Sequence, residues 1–242
     1  MICVPVMEKK KADIIEEVTY LAKSAAADMI EWRVDAFDSY ADFNEIRQVL
    51  NEIEGVVKDK LFLYTFRTQK QGGEAEPEHE LLDDLHDLAA ESHCVDLIDI
   101  EFFAEEYPAK KIRRIREQGV HVIASHHDFE MTPPSEVMNM LLEKMAAGGG
   151  DLVKLAVMPK DCRDVIRLLE VTDGFRRNHK GVPVITMSMG AVGSVSRISG
   201  EYFGSCVTFG AHKVASAPGQ FAMETLANIL ETLHDAACIN SK

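Results

Sequence analysis

Short runs of apolar and β-branched residues alternate with longer amphipathic stretches along the whole chain. The runs predict strands at residues 2–7, 29–34, 61–66, 95–101, 120–125, 152–157, 182–187 and 206–210. Between them, apolar positions at helical spacing predict helices at 12–26, 43–54, 77–91, 108–118, 134–147, 161–178 and 220–236, with a weak one near 193–201. Pro77, Pro108 and Pro134 stand at three of these starts, where a first helical turn tolerates a missing amide donor. Strict alternation of strand and helix predicts a parallel sheet, because a parallel crossover needs a helix-length connection. In 242 residues the simplest closure is an α/β fold of the (β/α)8 TIM-barrel type, one domain over 1–242. An open doubly wound sheet is the alternative, but Met7-Glu8-Lys9-Lys10 after the first strand holds no glycine for a dinucleotide fingerprint.

Composition narrows the class without choosing a reaction. At 46% hydrophobic and 27% charged the chain reads as globular. A net charge of -14 and a pI near 5.1 argue against nucleic acid or an anionic membrane as partner, since both need a basic face. An anionic substrate would then have to be captured by locally placed arginines. Cys3, Cys94, Cys162, Cys206 and Cys238 are odd in number and lack metal-like spacing, the pattern of reduced thiols in the cytoplasm. No signal-peptide pattern opens the chain, and no apolar run approaches the ~20 residues of a membrane span. A soluble cytoplasmic protein is the expectation.

In a barrel of this kind the chemistry sits at the carboxyl ends of the strands, and these ends are crowded with polar residues. Glu31, Arg33 and Asp35 end the second strand, Arg67 the third and Glu101 the fourth; His126, His127 and Asp128 follow the fifth. Lys154 lies inside the sixth, between apolar neighbours in Leu152-Val153-Lys154-Leu155-Ala156. A buried ammonium is costly, so this lysine loses its proton and can attack a carbonyl, pairs with Glu31 or Glu101, or snorkels to the rim. His126 and His127 point to opposite faces, so only one can face the barrel interior and carry protons. Glu31 and Arg33 share a face and could be an internal ion pair or a ligand clamp. Arg67 precedes Gly72-Gly73 and suits an anion or a nearby carboxylate, while Asp128 could cap the next helix. Arg197 ends a small-residue stretch, 190–196, that reads as a loop able to close; a surface arginine is the plainer reading. Trp32 faces away from Glu31 and Arg33 and reads as packing between helix and barrel, and Cys206 reads as a small core residue.

Taken together, several segments resemble type I 3-dehydroquinate dehydratase, the shikimate-pathway lyase. They are Glu31-Trp32-Arg33-Val34-Asp35, Thr65-Phe66-Arg67-Thr68 with Gly72-Gly73, and Ser125-His126-His127-Asp128-Phe129. Next come Val153-Lys154-Leu155-Ala156-Val157-Met158-Pro159, then Met187-Ser188-Met189-Gly190 through Ser196-Arg197, and finally Ser216-Ala217-Pro218-Gly219-Gln220. The resemblance implies that Lys154 forms an imine with the C3 ketone of 3-dehydroquinate. It implies that His127 removes a C2 proton and then protonates the departing C1 hydroxyl. Arg197, Ser216 and Gln220 would grip the substrate carboxylate, Glu31, Arg33 and Arg67 the ring hydroxyls, and Met187, Phe129 and Met189 would supply apolar walls. No metal or organic cofactor is implied, and a homodimer is. Two departures stand out. Gln71 replaces the carboxylate that commonly orients the histidine, which predicts a lower histidine pKa than in relatives with glutamate. The amino-terminal hairpin that floors the barrel in longer relatives is not expected here. A class I aldolase and a non-catalytic carboxylate-binding barrel are the rival readings. An aldolase commonly has a phosphate-binding turn near the last two strands, which Ser216–Gln220 does not resemble.

Overall fold

The computed structural model describes residues 1–239, so residues 240–242 of the expected 1–242 domain lie outside the described residues. Eight parallel strands form one sheet: β1 (Ile2–Val6), β2 (Met29–Arg33), β3 (Leu61–Thr65), β4 (Leu97–Glu101), β5 (His121–Asp128), β6 (Leu152–Val157), β7 (Val184–Ser188) and β8 (Thr208–Phe209). They run in chain order from β1 to β7, and β8 returns to pair with β1. The ring closes through a thin seam, an isolated Val184–Ser205 bridge and the Cys206 N–H donating to Val184 O at 2.9 Å. This is the expected (β/α)8 barrel.

The connecting helices are α1 (Lys11–Lys23), α2 (Phe43–Val57), α3 (His79–Ala90), α4 (Pro108–Arg116), α5 (Ser135–Ala147) and α6 (Cys162–Asn178), then α7 (Gly190–Gly193), α8 (Val195–Ile198), α9 (Gly200–Phe203) and α10 (Met223–Ile239). Asp42 and Asp161 cap α2 and α6 by accepting from the first free backbone amides. Pro108 occupies the first turn of α4 as expected, but Pro134 is the cap before α5 and Pro77 lies outside α3. The weak helix expected near 193–201 is broken into the four-residue α7, α8 and α9. Gly193, where α7 ends, lies against β7 so closely that a Cβ there would fall 2.2 Å from Ser188 O.

Strand parity divides the core in two. Outward residues such as Val4, Ile30, Trp32, Tyr64, Ile98, Val122 and Leu155 pack under the helices, with Trp32 edge-on to Tyr64 at 5.7 Å. Inward residues Cys3, Met29, Leu63, Leu97, Ile123, Ile185 and Val207 fill the barrel below the polar layer. At the amino-terminal end a repeated device sets the register. Asp28, Asp96 and Asp151 each precede an even strand and accept from Ile2, Phe62 and Val122 N–H of the strand before, at 2.7, 2.7 and 2.9 Å. A carboxylate receiving a backbone N–H makes a stronger bond than a neutral acceptor, so β1 to β6 are stapled in pairs.

Candidate active site

Period-two alternation carries Glu31 and Arg33, Thr65 and Arg67, Asp99 and Glu101, Ser125 and His127, and Lys154 and Ala156 to the barrel interior near the carboxyl ends. Arg67 organises this layer. Its Nη2 lies 2.8 Å from Asp99 Oδ1, and its Nη1 donates to Glu101 Oε1 at 3.0 Å and to Ser125 Oγ at 3.2 Å. Burial alone would lower the Arg67 value, but Asp99 and Glu101 outweigh it and hold the guanidinium above its ordinary range. Thr68 fixes Glu101 in turn, through its N–H at 2.9 Å and its hydroxyl at 2.8 Å. Arg33 makes a two-pronged pair with Asp35 at 2.9 and 2.8 Å, and Asp35 also accepts from Arg67 and Glu74 N–H. Burial raises the Asp35 carboxyl, but Arg33 and these amides bring it below the usual carboxylate range.

Lys154 is 4% exposed, and its Nζ lies 3.5 Å from Asp99 Oδ2, 3.9 Å from Glu31 Oε1 and 4.3 Å from the Phe209 ring centroid. Of the two pairing partners expected from sequence, Glu31 is near, while Glu101 is committed to Arg67 and Thr68. Asp99 takes that place. It is fully buried, accepts from Ser125 Oγ at 2.5 Å, and is held below the usual range because Arg67 and Lys154 overcome its burial. Sequence reasoning stopped at Glu101 as the strand end and passed over Asp99. Shared parity two residues earlier was the available signal.

β5 runs on to Asp128, so His127 is a strand residue that faces inward, while His126 turns outward onto Phe103 at 5.4 Å. Gln71 Oε1 accepts from the His127 backbone N–H at 2.8 Å and lies 3.1 Å from His127 Nδ1. An amide oxygen only accepts, so Nδ1 carries the proton and Nε2 keeps a free lone pair. Burial, then the charges of Arg67, Lys154 and Arg33, push the His127 imidazole well below its usual value. The neutral ring is therefore favoured. Asp128 does not cap α5; its Oδ1 accepts from Glu130 and Met131 N–H at 2.9 Å each and turns the chain away from β5.

Glu31, Arg33, Arg67, Gln71, His127, Lys154, Ser216 and Gln220 line one cavity with the apolar walls Phe129, Met187, Met189 and Phe209. Arg197 is not in that wall. It is 1% exposed, not the surface arginine of the plainer reading, and its Nη2 donates to Pro218 O at 3.0 Å. Its Nε and Nη1 are buried with no hydrogen bond among the described residues. Burial brings its value down to about 10. Two buried donors without acceptors, on an arginine tied to Pro218 in the segment between Ser216 and Gln220, make this corner receptive to an anion. The roof segments are tied together: Gly190 N–H also donates to Pro218 O, at 3.1 Å, and a Cβ on Gly219 would fall 2.3 Å from Gly190 O. The free space in this narrow, partly open cavity is about 40 Å³, room for a few waters at most, so a ring-sized ligand fits only when the roof moves.

Among the described residues the one trio spaced for a metal is His79, Asp83 and Glu105, outside the barrel between α3 and α4. Lys111 Nζ already holds both carboxylates there, at 2.5 and 2.6 Å.

With this geometry established, comparison with known proteins is decisive. The family model for type I 3-dehydroquinase matches residues 2–237. The chain belongs to that family. It is 42% identical over 235 residues to 3-dehydroquinate dehydratase of Clostridium novyi (strain NT), a match covering 97% of this chain and 92% of that protein. A crystal structure of the type I enzyme from Clostridium difficile, with covalently modified comenic acid, superposes with a TM-score of 0.92 at 39% identity, covering 97% and 92% of the two chains. The enzyme from Geobacillus kaustophilus HTA426 superposes at 0.93 with 31% identity, covering 97% and 91%. Membership of the type I 3-dehydroquinase family makes this chain a lyase. No helix of the described residues is long and apolar enough to cross a membrane.

Proposed function

We propose that Lys154 is the residue through which this chain, as a type I lyase, dehydrates 3-dehydroquinate to 3-dehydroshikimate. The observation that carries the reading is a buried primary amine opening on a narrow cavity, one pleat from a histidine whose Nε2 is free. The amine adds to the C3 ketone, and the adduct takes up a proton from solvent and loses water to give an iminium. That cation withdraws electrons from C2, so the C2 proton becomes acidic enough for His127 Nε2 to take. The pair left at C2 forms the C1–C2 double bond as the C1 hydroxyl leaves, and His127 returns its proton to that oxygen. Water then releases the product and restores Lys154.

Asp99 and Glu31 suit the iminium, because both carboxylates already face Nζ and keep their sign when the amine becomes a cationic imine. Arg197, Ser216 and Gln220 grip the substrate carboxylate, while Glu31, Arg33 and Arg67 hold ring hydroxyls. Arg67 is locked by two acids before any ligand arrives, so it acts from a fixed position. Replacing Lys154 with Met tests the assignment by the absorbance of the enone product. Turnover should vanish with the fold intact; retained turnover would sink it.

The same reading carries one domain over 1–242, a cytoplasmic location and a homodimer. The five cysteines are unpaired, which suits a reducing compartment. Sedimentation velocity should return twice 26.9 kDa; a single 26.9 kDa species would remove the dimer.

A further inference from the structure

The loop that carries Ser216 and Gln220 leaves β8 and returns to α10 between two points fixed by backbone bonds. Ala211 N–H donates to Phe221 O and Met223 N–H to Ala211 O, both at 2.8 Å. The first two residues beyond Ala211 do not face the cavity. They reach outward to α1, where both oxygens of Glu17 receive them: His212 Nδ1 at 2.5 Å from Oε1 and Lys213 Nζ at 2.9 Å from Oε2. The His212 ring also stacks on Tyr20 at 4.3 Å and 11°. Glu17 is 2% exposed. A carboxylate that deep in a helix face is costly without cationic or donor partners, and the charged and donor side chains that meet it come from this loop. Lys213 additionally lies 3.9 Å from Glu8, whose carboxyl is pushed up by burial and by Glu17. Undocking the loop root would therefore leave two neighbouring acids without their shared cation.

We propose that Glu17 is a positioning residue for substrate binding: through His212 and Lys213 it fixes the root of the roof loop, so that only the part carrying Ser216 to Gln220 must move and reorder. The inference rests on the assignment of Ser216 and Gln220 to the substrate carboxylate. The two ends of the loop then have distinct tasks. The Pro218 carbonyl, held by Gly190 and Arg197, is the contact that must release when the roof moves, because the free space of about 40 Å³ is too small for the ring. The Glu17 contact stays made in both states and lowers the ordering cost of each closure.

The test uses the full chain with 3-dehydroquinate as the probe. Glu17→Gln removes the charge at constant size. Lys213→Met removes the partner, whose side chain is 43% exposed, so it decides the matter should Glu17→Gln fail to fold. Both variants should raise KM by about tenfold with kcat within about twofold of wild type, since closure is weakened but the reacting groups are untouched. Glu17→Gln should also speed tryptic cleavage after Lys213, with product restoring protection. An unchanged KM in the folded variants would overturn the proposal, as would kcat and melting temperature falling together with the cleavage rate unmoved. Absence of turnover in wild type would instead count against the dehydratase reading, so the two failures are separable.

Discussion

The wall from β1 to β6 and the arc from β7 through β8 face the same cavity but are built differently. Along the wall, three aspartates staple the strands in pairs, and Arg33 and Arg67 are each locked by buried carboxylates. The arc has a two-residue β8, a seam of one isolated bridge, three four-residue helices and an arginine with two buried donors free of protein acceptors. Exposed Val192, Val195 and Val214 sit on these roof segments. The wall is organised by its own contacts; on the proposed assignment, the arc is completed by substrate. Fixed charge is worth most where charge develops during the reaction. A removable roof serves where the ligand must enter and be shielded from water.

Substitutions along the wall and the arc should therefore fail in different ways. The largest effect is expected for His127→Ala, a loss of about 10²–10⁴ in kcat, the usual worth of a positioned acid–base group; a loss below tenfold would remove His127 from proton transfer. Next comes stability. Asp99→Ala leaves the buried Arg67 with Glu101 as its remaining acid and should cost about 3 kcal/mol in denaturant unfolding. Ser216→Ala, on the arc, should stay within about 0.5 kcal/mol. Equal costs at the two positions would erase the contrast. Arg197→Ala should raise KM by about 10- to 100-fold with a smaller change in kcat, the scale of a charge-assisted pair; steady-state kinetics in which only kcat falls would place Arg197 in the chemistry instead.

The smallest effect concerns pH. In the proposed mechanism His127 acts as a neutral base, and burial with three nearby cations holds its pKa below the ordinary histidine value. The acidic limb of the kcat/KM profile therefore lies low. Gln71→Glu places an anion beside Nδ1, favours the imidazolium and should move that limb upward by about one unit. A limb that stays in place would mean that Gln71 orients the ring without setting its charge.

Much of the wall was legible in the sequence, because strands impose a period of two and a polar residue in an apolar strand is conspicuous. Lys154 between Val153 and Leu155, the parity of Glu31 with Arg33, and the opposed faces of His126 and His127 all followed from that period. Asp99 obeys the same rule and was overlooked because Glu101 stood at the strand end, where reactive groups are sought. The arc was less legible. Glycines and short helices between 190 and 204 carry little periodicity, and β8 is too short to alternate. The contacts of Pro218 with Arg197 and of Glu17 with Lys213 join segments distant in sequence. Such pairings depend on the closed barrel, which no local pattern encodes. The resemblance implied a substrate contact for Arg197 and Gln220; it said nothing of what holds the loop of Gln220.

The proposed chemistry turns on a covalent bond at one amine. Treating the enzyme with 3-dehydroquinate and borohydride, then mapping peptide masses, should place a reduced ligand adduct on Lys154 and none on the Lys154→Met variant. An adduct on another residue, or turnover without any trapped adduct, would contradict it.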